Sequence, residues 1–413
     1  MFGSTLIARW GPQALPSGRG FCDVGSNASR NLRGLCFGDG ERFAAPGNTT
    51  TLGVGMARIV LGLGTSHTPM LSIPGELWST YAKNDRRNPE LVFPPDGVAM
   101  PFEDAVDHYV PKSIQDRLGD EESFKAQFAR CQVALDTLRD TLAEAKPDIT
   151  IIITDDQDEW VFEGNMPAFS IFWGPSVPLI PRPLPDDASE VMKYISQGYG
   201  DVALDMPVPS RFGRHVIEFL MDHDFDISHM AYTEELYGGK VARRYPTPEG
   251  ELELVRVTEP RPMGLPHGLS FVVKRLFDNK PGPILPVFQN TCYPPNQVRP
   301  SRSYDFGRYI ARAVEAWEED ARVAVIASGG LSHFVVDEEF DRSLIAALQT
   351  KDEETLRNLP RLRLYSATSE SLNWVAVGGA VSDTDLKAEV VDYVPVYRTE
   401  AGTGGGWAFI RWQ

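Results

Sequence analysis

VAVIASGGLSHF, residues 323–334, decides how this chain is read. An apolar, β-branched run, Val323–Ile326, is followed at once by Gly329, Gly330, Ser332 and His333. Glycine weakens a strand and lets backbone approach a neighbour closely, so the run ends there and a histidine follows the turn. The same order recurs three times. Ile59–Leu63 runs into GTSHTP (64–69), Ile149–Ile153 into TDDQDEW (154–160), and Ile284–Gln289 into NTCYPP (290–295). Helical patterns separate the runs, with apolar residues at steps of three and four. Phe124, Phe128, Cys131, Leu135, Leu138 and Leu142 make one such face, stopped by Pro147; Phe212, Val216, Phe219 and Leu220 make another. Phe306, Ile310, Val314 and Trp317 mark a third, and Phe340, Leu344 and Leu348 a fourth. Alternating strands and helices predict an α/β fold, a largely parallel central sheet flanked by helices, with the active site at the carboxyl ends of the strands. The Pro- and Gly-rich stretches 74–101, 164–187 and 258–283 read as loops.

The 413 residues allow one large domain or two ordinary ones. Residues 1–55 are rich in Gly, Ser, Asn and Arg without sustained periodicity, and are expected to be a disordered extension before a single catalytic domain, 56–413. A net charge of −17 argues against nucleic acid and against anionic membrane surfaces as partners. No run reaches the length of a membrane span. Four scattered cysteines with no CxxC pair fit a reducing cytoplasm and exclude a thiolate zinc site.

The chemistry is expected where strands end. His215, His223 and His229 sit in helical or turn contexts and read as packing, whereas His67, His108, His267 and His333 sit in loop-like surroundings. Neutral imidazoles with one carboxylate suit a facial Fe(II) site that leaves positions open for substrate and oxygen. Glu370, in ATSESLNW (367–374), is a candidate carboxylate; its alternative is a helix-capping acid beside Ser369.

TSHTPML (65–71), DDQDEWVFEGNMPAF (155–169), LPHG (265–268), GGLSHF (329–334) and SESLNW (369–374) together resemble the class III extradiol ring-cleavage dioxygenases, the family of the protocatechuate 4,5-dioxygenase catalytic subunit, in its gallate and 3-O-methylgallate branch. The resemblance implies Fe(II), a small aromatic diol acid and O₂ as partners, and an assembly such as a homodimer. It places metal ligands at His67 and Glu370, a catalytic base at His333 and a further active-site histidine at His267. The chain departs from the pattern in two places: Pro266 stands before His267 where an acid is usual, and, more seriously, the second histidine ligand is replaced by Gln157. Three accounts stand open. Gln157 or Asp156 ligates; His108 swings in; or the metal is lost, leaving a non-catalytic binding or signalling protein. Asn290, Arg299 and Arg302 are candidates for holding a substrate carboxylate.

Overall fold

The computed structural model describes residues 56–89, 91–162, 164–233, 240–243, 253–256 and 263–413. The expectation for residues 1–55 falls outside them. The central sheet has eight strands. In chain order they are β1 (Arg58–Thr65), β2 (Ile149–Thr154), β3 (Phe169–Phe172), β4 (Ser228–Met230), β5 (Ile284–Gln289), β6 (Arg322–Ser328), β7 (Ala388–Tyr397) and β8 (Gly404–Trp412). Their spatial order is β7-β8-β1-β6-β2-β5-β3-β4.

The four strands anticipated from sequence are the four at the centre, and all are mutually parallel. Thr65 stands opposite Ser328, Ala327 opposite Ile153, and Thr154 opposite Phe288, so the four exits lie in one row. Every residue of β2 and β5 is buried, the mark of strands covered on both faces. On one side antiparallel β8 and β7 extend the sheet, and on the other antiparallel β3.

Among the described residues the helices that flank it include α1 (Glu121–Ala145), α2 (Ser210–Met221), α3 (His267–Leu276), α4 (Pro300–Glu315), α5 (Glu338–Thr350) and α6 (Ser371–Ala380). α1 starts in a capping box between Asp120 and Ser123, worth about 1 kcal/mol, and ends at left-handed Lys146 before Pro147. Five of the six residues read from the sequence, Phe124, Cys131, Leu135, Leu138 and Leu142, are buried, Phe128 is half-buried, and Ala134 and Thr141 join the buried face. α6 is buried along its whole length, with Trp374 donating to the Gly329 carbonyl at 2.9 Å. Truncating Trp374 to Ala would open a cavity beneath the site and cost about 3–5 kcal/mol.

The stretches read as loops hold more order than expected. Residues 258–283 contain α3; 164–187 contain β3 and the strand Ser176–Leu179; 74–101 contain the helix Trp78–Ala82 and a two-stranded ribbon. Among the described residues no helix is long and apolar enough to cross a membrane.

Candidate metal and catalytic centre

Three parallel strand exits and two helix starts meet at one buried carboxylate. Glu370 lies immediately before α6, at the end of a 3₁₀ turn, Ser366–Glu370, and its side chain makes no capping bond. The capping account is therefore set aside: the carboxylate faces inward. Its Oε2 accepts from the Gly330 backbone N–H at 2.6 Å, and its Oε1 accepts from Gln157 Nε2 at 2.8 Å. His67 Nε2 lies 3.2 Å from Oε2, and His333 Nε2 lies 3.3 Å from Oε1.

The two glycines of the opening motif now have a cause. A Cβ on Gly330 would sit 2.4 Å from the His333 ring, so only glycine lets the turn place its N–H on Glu370 and the imidazole above it.

Hydrogen bonds set the state of each ring. The Ser328 hydroxyl spends its proton on the Gly268 carbonyl at 2.6 Å, so it accepts from His67 Nδ1 at 2.9 Å. His67 Nδ1 therefore carries a proton, and in the neutral form of the ring Nε2 is the lone pair. That buried Nε2 makes no hydrogen bond of acceptable geometry. His333 is arranged alike: Nδ1 donates to the Leu331 carbonyl at 2.8 Å, turning Nε2 toward Glu370. Thr368 clasps the same turn, accepting from the His333 N–H and donating to its carbonyl.

His267 opens α3. Both its backbone N–H and its Nδ1 contact Glu159, whose other oxygen is held by Arg182 at 2.6 Å. The His267 and His67 rings meet edge to face, 4.7 Å apart. Ligand atoms of His67, His267 and Glu370 all lie within 4.8 Å of one another, the one such group of His, Cys and acidic residues of this compactness that includes a strand-exit histidine among the described residues.

Electrostatics follow from burial. Burial alone would lower the His67 and His333 pKa values, but the Glu370 charge outweighs it and raises both. Burial would raise Glu370, yet His333 and His67 hold it well below the usual carboxylate range. Asp155, buried and beside Glu370, is pushed up by both causes. Burial would likewise raise Glu159, which His267 and Arg182 instead hold low. Lone pairs of two imidazoles and a carboxylate facing one another repel unless a cation or a proton lies between them. The orphaned Nε2 of His67, the facing His333 Nε2 and the Glu370 carboxylate fit a divalent cation with nitrogen and oxygen ligands.

The remaining candidates have other partners. Asp156 accepts the backbone N–H groups of Glu159, Trp160 and Val161, which occupy both its oxygens, and burial pushes it up to about 8. His108 ends the helix Phe102–His108, exposed and outside the histidine–glutamate group. Asn290 spends its amide on Tyr293 and Asn296 within its own turn. Arg302 donates to the Asp224 carbonyl at 2.8 Å and covers the Phe225 ring, and Arg299 is an exposed residue before α4. A sequence shows which residues follow a strand but not which bonds consume them. Sequence reasoning missed Asp155, Asn373, Glu159 and Arg182 as members of the site; only the acid run 155–159 pointed toward them.

The crystal structure of the uncharacterized protein JW3007 from Escherichia coli K12 is 12% identical, with a TM-score of 0.37, covering 67% of this chain and 91% of that one. So weak a likeness says nothing about chemistry. A family match is more extensive: residues 119–404 fit the catalytic LigB subunit of aromatic ring-opening dioxygenase. That span includes Gln157, His267, His333 and Glu370, while His67 precedes it. The chain belongs to this family of aromatic ring-opening dioxygenases.

Proposed function

We propose that the chain uses Fe(II) and O₂ to cleave a catecholic aromatic acid of the protocatechuate, gallate or 3-O-methylgallate type, beside its diol. One observation carries this reading: His67, Glu370 and His333 converge with both imidazole Nε2 atoms turned toward one carboxylate. His67 and Glu370 would hold the ion. Bound there, Fe(II) supplies Lewis acidity that acidifies a substrate hydroxyl and positions left open for substrate and oxygen.

The chain's own groups do the rest. His333 keeps Nδ1 on Leu331, so Nε2 is its one ring nitrogen available to a substrate proton. It takes that proton as general base and returns it as general acid, work suited to a side chain that titrates near neutrality. Gly330 and Gln157 fix both oxygens of Glu370, so the carboxylate holds its place as charge moves. Burial of His67, Glu370 and Asp155 keeps water from the ring-opening step.

Anaerobic loading with Fe(II), followed by oxygen uptake on a panel of these diols, tests the reading. Uptake with appearance of a ring-opened acid is expected, and no uptake with any diol overturns it in favour of a binding protein. Replacing His333 by Phe should retain the iron and lower turnover about 10²–10⁴-fold.

A further inference from the structure

A facial site of this kind takes two imidazoles, and the position that the resemblance assigns to the second holds Gln157. Gln157 is already committed. Its Nε2 donates to Glu370 Oε1 at 2.8 Å and to Asp155 Oδ2 at 3.2 Å. Turning the amide over would set its oxygen against two carboxylates, so the nitrogen is fixed toward them by charge. Asp155 is held in turn by Asn373 Nδ2 at 2.9 Å.

We propose that the second imidazole ligand is His267, supplied from the first residue of α3, and that Gln157 has become a positioning residue that locks Glu370. Two independent features support His267. The first is backing: Glu159 binds both its Nδ1 and its backbone N–H, and Arg182 anchors Glu159. A carboxylate behind the ring selects the tautomer, leaves Nε2 as the donor to the ion and raises its basicity, which is how ligating histidines are oriented. The second is access. A Cβ on Gly268 would lie 2.2 Å from Thr154 Oγ1 and 3.1 Å from His67 Cε1, so glycine is what lets the first turn of α3 come this close to β2 and His67. The histidine missing from the exit of β2 is thus replaced in space by one from another element, while the same loop keeps a role through Glu159. The assignment rests on the ring-opening reading, because it names ligands of the same ion.

Co(II) is a suitable probe, read by equilibrium dialysis and visible absorption without turnover, on the wild type and on H267A, Q157A and E159Q. The wild type is expected to bind one Co(II). H267A should bind at least about 100-fold more weakly, and added imidazole should restore both uptake and the visible band, which a merely structural loss would not allow. E159Q should weaken binding about 10–100-fold. Q157A should still bind one ion, within about tenfold of the wild type, with a shifted band. Circular dichroism checks folding, and H267N repeats the test if H267A unfolds. H267A binding as tightly as the wild type, or Q157A losing the ion while H267A keeps it, overturns the exchange alone. A wild type that takes up no Co(II) overturns the ring-opening reading together with it.

Discussion

Two clusters of buried charge among the described residues are built on opposite plans. In one, Arg398 and Asp85, nearly inaccessible to water, form a fork: Nε to Oδ2 at 2.5 Å and Nη2 to Oδ1 at 2.9 Å. Thr403 adds a third donor to Asp85, and Met70 Sδ receives the remaining guanidinium nitrogen. The charges cancel and the donors are matched. In the other, Glu370 and Asp155 are equally buried, but the groups facing them are two amides, a backbone N–H and histidines, with no guanidinium or ammonium contacting either among the described residues. His67 Nε2 lies 3.2 Å from Glu370 Oε2 without a hydrogen bond of acceptable geometry. Equal burial with unequal neutralisation separates the two plans: the first cluster is a staple that closes on its own charges, while the second gathers the side chains that fit a cation.

The contrast breaks most sharply under mutation. Glu370→Ala should abolish uptake of a divalent ion, and with it the stabilisation that such an ion confers, about 2.7 kcal/mol at a hundredfold excess over Kd. The metal-free variant should lose less stability than Asp85→Ala, which strands the Arg398 charge and costs about 3–5 kcal/mol. Urea titrations of both metal-free variants decide the matter. If Glu370→Ala proves the more damaging, the cluster at the strand ends is a staple too.

Asp341 sharpens the comparison from between the two plans. It is fully buried on α5 and accepts from Ser332 N at 2.7 Å, Ser332 Oγ at 2.6 Å and Tyr393 OH at 2.7 Å. Burial nevertheless pushes its carboxyl up from 3.8 to about 7. A carboxyl raised on folding contributes stability that is complete below its unfolded value and is lost as pH rises through its folded value. Between pH 4 and 7 this group should therefore lower stability by at most about 1.4 kcal/mol per pH unit. Asp341→Asn should flatten that slope in denaturation curves taken across the range. Because Ser332 precedes His333, turnover should fall as well, with bound metal unchanged. A slope identical to the wild type would show that the three donors, not burial, govern the carboxyl.

What the sequence disclosed divides along physical lines. The four central strands were legible because each is a short β-branched run ended by Gly, Asn or Asp, and their exits fall in one row because parallel strands share a direction. His67 and His333 could be named for that reason, whereas Glu370, which precedes a helix, was named from SESLNW and the resemblance. α3 was not legible as a helix, since Pro and Gly crowd residues 258–283. Its signal was Pro266 before His267, then Leu269, Val272, Val273 and Leu276 on one face. β8 was hidden because it opens on Gly404, Gly405 and Gly406, residues that ordinarily weaken a strand; a Cβ on Gly406 would lie 1.8 Å from Asp341 Oδ2. Asn290 and Arg302 mark the deeper limit. Both stand where a ligand-binding group belongs, and both are consumed by neighbours that only the fold brings near.

The smallest expected effect lies at the amino end. We propose that the catalytic unit begins at Met56, so that removing residues 1–55 changes neither melting temperature nor iron content nor turnover. Gly55–Gln413 group together as one compact unit, and within it Ala57 is already buried and β1 lies between β6 and β8. Eight residues further the outcome should reverse. Deletion through Leu63 takes most of a central strand, leaves the facing edges of β6 and β8 without hydrogen-bond partners, and detaches His67 from its support. That variant should not fold. A sharp boundary between the two truncations places the start of the unit at Met56, whereas a large loss of melting temperature on removing only residues 1–55 would move the boundary toward the amino terminus.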